Sequence, residues 1–165
     1  MRLLPALLLA ALAAGCASFD GRGLEPGKAR QADVEAAMGR PAEAVKRADG
    51  TTQLYYTRLP EGRANYVATI APDGTLRGIE QRLTAENIRK IAPNVTTMKE
   101  VRELLGPPFR EARMPLQQRD VLEYPWRIVE DRRILWVQHS YDGTVREVIQ
   151  MHDYESDPPS HSAKD

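Results

Sequence analysis

Four consecutive residues, His139-Ser140-Tyr141-Asp142, hold the side-chain types of a nucleophilic hydrolase: a hydroxyl, an imidazole to take its proton and a carboxylate to orient the imidazole. Their spacing works against that chemistry. Asp142-Gly143 is a hairpin-type turn signal, and Ile134–Tyr141 before it reads as a strand. Neighbouring strand side chains point to opposite faces, which separates His139 from Ser140. His139, His152 and His161 show no ligand spacing, and the lone cysteine, Cys16, sits in the leader. Glycines stand singly in turns and form no phosphate-cradling loop. The expectation is a non-enzyme, with no catalytic residue, metal, cofactor or small-molecule substrate assigned.

Cys16 offers a different chemistry. Met1-Arg2 is a short positive start, Leu3–Ala14 is apolar, and Ala13-Ala14-Gly15 leads in small residues to the cysteine. This is a secretory-signal layout, with an apolar run too short to span a bilayer. Leu12-Ala13-Ala14-Gly15-Cys16 resembles the bacterial lipobox, with Ala13 where leucine is usual. The resemblance implies removal of a signal peptide, 1–15, and lipidation of Cys16 by a diacylglycerol and a further acyl chain of the palmitate kind. Residues 16–23 are then a lipidated tether, and several fatty chains on one cysteine make release from a membrane negligible. Ala17-Ser18 carries no aspartate after the cysteine, which resembles outer-membrane lipoproteins of Gram-negative cells. The implied place is the outer membrane, lipid-anchored, on its periplasmic face. With 23 basic and 23 acidic side chains, no net field draws the chain to nucleic acid or acidic lipid.

The elements that position these groups occur twice. Pro26-Gly27, Asp33-Val34 and Met38-Gly39-Arg40-Pro41 return 67 residues later as Pro93-Asn94, Glu100-Val101 and Leu105-Gly106-Pro107-Pro108. Tyr55, Arg58 and Asp73-Gly74-Thr75-Leu76-Arg77 return 69 residues later as Tyr124, Arg127 and Asp142-Gly143-Thr144-Val145-Arg146, which places a small insertion between Pro108 and Tyr124. A fixed period signals tandem units. The boundaries read as a first repeat, 24–82, a second repeat, 83–154, and a disordered tail, 155–165. Val34, Ala37 and Met38 recur at helical spacing, with Gly39 as the stop. Thr97-Met98-Lys99-Glu100 fits a capping box before Val101, Leu104 and Leu105, and Thr84 caps a shorter helix with Ile88 and Ile91. Thr52–Arg58, Ala64–Ile70 and Leu76–Gln81 read as strands, as do Val121–Val129, Ile134–Tyr141 and Thr144–His152. Pro125 marks an edge strand, and Glu130–Arg133 a solvated turn. The expected class is α+β: two tandem units, each one or two helices packed on a three-stranded antiparallel meander.

Asn94–Pro108, Tyr124–Trp126 and Asp142-Gly143 resemble the BamE/SmpA/OmlA family of outer-membrane lipoproteins, accessory subunits of the β-barrel assembly machinery. The residues shared are a threonine-started helix with an acid-Val step, a Leu-Gly-x-Pro close, an aromatic strand and an Asp-Gly turn. That family has one such unit; the two-unit form is similar to the β-lactamase inhibitor protein fold. The resemblance implies a non-catalytic, periplasm-facing adaptor or scaffold in outer-membrane protein assembly or envelope integrity. The alternative is a protein-binding or inhibitor module for a periplasmic enzyme; a hydrolase around the histidines is the weakest reading. The implied partners are the membrane, through the lipid on Cys16, and an envelope protein, with no nucleic acid.

Trp136 is the candidate protein-binding residue. Ile134–Tyr141 breaks the alternation of a half-solvated strand, with Leu135 and Val137 on one face and Ile134 and Trp136 on the other. At the 69-residue offset Leu135, Val137 and His139 match Tyr66, Ala68 and Ile70, so this set is assigned to the core and Trp136 to the outer face. Either the first repeat packs over that indole, or a partner does, or the faces are inverted.

Overall fold

Apolar periodicity and capping set the helices. Gln31–Met38 forms α1, with Val34 and Met38 buried. Ala85–Arg89 forms α2, whose N-cap Thr84 accepts from the Asn87 amide. Met98–Leu105 forms α3, where Thr97 and Glu100 complete the capping box and Val101 and Leu105 are buried. The structure is a computed structural model and describes residues 20–154, so Cys16, the signal peptide, residues 16–19 of the tether and the tail from residue 155 lie outside the described residues.

The strands are β1 (Glu43–Lys46), β2 (Thr52–Thr57), β3 (Asn65–Ile70), β4 (Leu76–Gln81), β5 (Arg110–Met114), β6 (Arg119–Ile128), β7 (Asp131–Ser140) and β8 (Val145–His152). They pair in sequence order as two four-stranded antiparallel sheets. The α+β class with three-stranded meanders is thereby corrected: the fold is mostly sheet, and among the described residues α-helix is confined to three short segments. The strands missing from the sequence reading are β1 and β5. Both lie at sheet edges and are almost wholly solvated, so neither carries an apolar alternation to read. Edge strands that carry charge resist pairing with foreign strands; Glu43-Ala44-Val45-Lys46 and Arg110-Glu111-Ala112-Arg113 have that character.

Two further expectations change. β6 is an interior strand, paired with both β5 and β7, yet its pairing with β5 ends at Glu123, so Pro125 occupies a stretch with β7 alone beside it. The turn expected at Glu130–Arg133 is tighter, because Asp131 already pairs with Ile128. The offsets also resolve more finely. Glu43 faces Tyr55 and Arg110 faces Glu123, while Tyr55 faces Val67 and Glu123 faces Trp136. The longer second half thus carries one extra residue in each of its first two hairpins, and Tyr56, not Tyr55, takes the place of Tyr124.

The layers follow from burial. Val34 and Met38 of α1 pack on Leu54, Tyr56, Ala68, Ile70 and Leu76 of the first sheet. Ile88, Val101 and Leu105 of α2 and α3 pack on Leu122, Tyr124, Trp126, Leu135 and Val137 of the second. On its other side α3 meets the far face of the first sheet, where Glu103 pairs with Arg47 at 3.0 Å and Arg102 approaches Glu43 at 3.9 Å. The order is helix, sheet, helices, sheet, and the last sheet has an open face.

Candidate functional site

Strand alternation puts Glu123 and Pro125 of β6, Ile134 and Trp136 of β7, and Ile149 and Met151 of β8 on the open face. Leu135 and Val137 point the other way and are fully buried in the core. A groove of about 390 Å³ runs along the open face, lined by Trp136, Ile134, Pro125 and Met151, with Phe109 and Tyr154 at its margins. Pro60 of the first half also lines it. The first half therefore borders the indole, which is half-buried.

One acid is set into this apolar floor. Glu123 is buried and accepts from Trp136 Nε1 at 2.8 Å and from Arg110 Nη2 at 3.0 Å. The two bonds fix the indole plane and neutralise the carboxylate, so the floor offers apolar area without an uncompensated charge. At the far end Gln138 and Glu147 both accept from Arg119 Nη1, at 2.9 and 3.1 Å. The face thus combines a flat aromatic held by its own hydrogen bond with polar groups at the margins, a composition that protein interfaces share. His152 and Asp153 also line the groove.

The hydrolase-like quartet is dispersed. His139 is buried, and its Nδ1 lies 3.1 Å from the Ser140 carbonyl oxygen. Ser140 Oγ donates to Asp142 Oδ1 at 2.5 Å and accepts from Arg146 Nε at 2.9 Å. Those bonds build the turn. The Ser140 hydroxyl and the Thr144 amide on Asp142 hold its carboxyl down at about 2. His152 approaches Asp131 at 3.1 Å and stacks edge-on against Tyr154. Among the described residues no group of three His, Cys, Asp or Glu could hold a metal ion.

Sequence reasoning singled out Trp136 and missed Glu123, Arg110 and Pro60. Glu123 was legible in principle, as an acid between Leu122 and Tyr124 in a strand of otherwise apolar centre. Arg110 was not, since its strand went unrecognised. The chain matches no protein-family model and no curated protein. Among solved structures it is similar to the crystal structure of a DUF4309 family protein (YjgB) from Bacillus subtilis subsp. subtilis str. 168, over 80% of this chain and 84% of that one, at 22% identity and a TM-score of 0.32. At that TM-score the likeness bears on neither fold nor function.

Proposed function

We propose that the chain is a non-catalytic, lipid-anchored adaptor that presents the open face of its second sheet to an envelope protein. The observation that carries the reading is Trp136, half-buried and oriented by Glu123 in an open, largely apolar groove. The lipobox-like context of Cys16 supports an anchor, and the resemblance to the BamE/SmpA/OmlA family supports a place at the periplasmic face of the outer membrane, beside the β-barrel assembly machinery. Affinity capture of the lipidated chain tests the pairing. Co-purifying barrel-assembly subunits favour the adaptor, and a soluble periplasmic enzyme favours the inhibitor reading. Trp136→Ala is expected to lose that capture while melting close to the parent temperature. A loss of about 3–5 kcal/mol of stability, the cost of deleting a core aromatic, would show the indole to be structural. Palmitate labelling is expected to mark the parent and not Cys16→Ser; equal labelling of both removes the anchor.

A further inference from the structure

The open face has a counterpart inside the same chain, and that counterpart is closed. The pairing registers put Val67 of the first sheet in the place that Trp136 holds in the second, and Tyr55 in the place of Glu123. Val67 is 1% exposed and Tyr55 4%, on the face that α3 meets. Two ion pairs mark that contact, Arg102 with Glu43 and Glu103 with Arg47.

Moved back or forward by 67 residues, these pairs become residues that are not joined within the chain. Arg102 and Glu43 correspond to Glu35 and Arg110, so the ion pair returns with its signs exchanged. Glu103 and Arg47 correspond to Ala36 and Met114, so the second pair returns as two apolar residues. Glu35 and Ala36 are exposed on α1, and the Arg110 side chain is 63% exposed beside the open face. Volume is complementary too, because α1 has Ala32 and Ala36 where α3 has Lys99 and Glu103, opposite a sheet that has tryptophan for valine. The helix ends agree. A Cβ on Gly106 would meet Asn65 of the first half at 3.1 Å, whereas a Cβ on Gly39 would meet nothing within 4 Å.

We infer that the open face of the second sheet receives helix α1 of a second copy of this chain, in the manner in which α3 closes the first sheet within one chain. The contact is head-to-tail, with different surfaces on the two copies, and so propagates instead of closing as a two-fold dimer. It rests on reading the Trp136 face as a docking surface, and puts a second copy there in place of a different envelope protein.

Two differently tagged full-length copies, one carrying Ala36→Cys and the other Met114→Cys, are co-expressed and treated with a mild oxidant. Each variant paired with the unaltered chain accounts for any disulfide to Cys16. The inference expects a mixed-tag disulfide well above that background and above a pairing of Ala36→Cys with Lys28→Cys. Adding Glu35→Arg to the first copy is expected to cut the yield about tenfold, as like charges across an interface do. A yield no higher than the Lys28→Cys control overturns the inference, as does a disulfide between two Ala36→Cys copies, which reports a two-fold contact. If Trp136→Ala loses partner capture while the Ala36–Met114 disulfide never forms, the docking surface stands and the second copy is eliminated as its occupant.

Discussion

Asp-Gly-Thr occurs three times, at Asp49, Asp73 and Asp142, and each time it does the same local work. The aspartate accepts from the amide two residues on, at 3.0, 3.0 and 2.8 Å, while the glycine between takes a positive φ that other residues resist. All three carboxyls are held below the usual aspartate range, mainly by hydroxyl hydrogen bonds from Thr51, Thr75 and Ser140 respectively. A carboxyl whose folded value is depressed contributes stability above its unfolded value, and that contribution fades as pH falls through the folded one. For Asp142 the window runs from about 4, the ordinary aspartate value, down to about 2. Carbon-detected NMR titration is expected to place its midpoint near the lower end, and Asp142→Asn to remove that part of the acid-stability profile. A midpoint in the ordinary range would mean that the Ser140 bond does not persist in solution. At this scale the sequence was most readable, because the turn chemistry lies within a few consecutive residues. Trp136 was readable for a related reason: alternation along one strand, with the matching strand of the first half as reference, decided its face.

Elements were legible in proportion to their burial. Helix α3 announced itself through Thr97, Glu100, Val101 and Leu105, and the capping box forms with Thr97 N donating to Glu100 Oε2 at 2.7 Å. Leu104, grouped with the apolar stripe, is only half-buried, because it sits on the side of the helix turned away from the sheet centre. Leu105→Ala is therefore expected to cost about 2–5 kcal/mol and Leu104→Ala distinctly less. Urea denaturation of the two variants checks the order; equal losses would contradict the packing of α3. The edge strands β1 and β5 were illegible because what makes them strands is the ladder offered by β2 and β6, not any preference of their own. Their omission reduced each four-stranded sheet to three and turned a mostly β fold into an expected α+β one.

At the scale of the whole molecule the two halves are joined by polar groups that no local pattern displays. Asn65 of β3 donates from Nδ2 to the Leu105 and Pro107 carbonyls at 2.8 and 2.9 Å, across the end of α3. Arg63 pairs with Asp153, both buried, and donates to the Arg133 carbonyl at 3.2 Å. These contacts span 40 to 90 residues, beyond the reach of periodicity. Asn65→Ala is expected to lower stability by about 1–3 kcal/mol for each carbonyl left without its donor. Gly106→Ala is expected to cost more than Gly39→Ala, since both take a positive φ but only Gly106 lies against Asn65. Comparable losses in the two glycine variants would mean that the halves do not press together there.

The Arg63–Asp153 pair also sets a timetable. Arg63 belongs to the first half, yet its carboxylate partner directly follows β8, the last strand of the second sheet. A chain made from its amino end holds the β2–β3 loop without this partner for 90 residues, until the last strand has been made. The first half is completed by a residue that follows the last strand of the second, so a nascent chain stays unfinished there until both halves have been made.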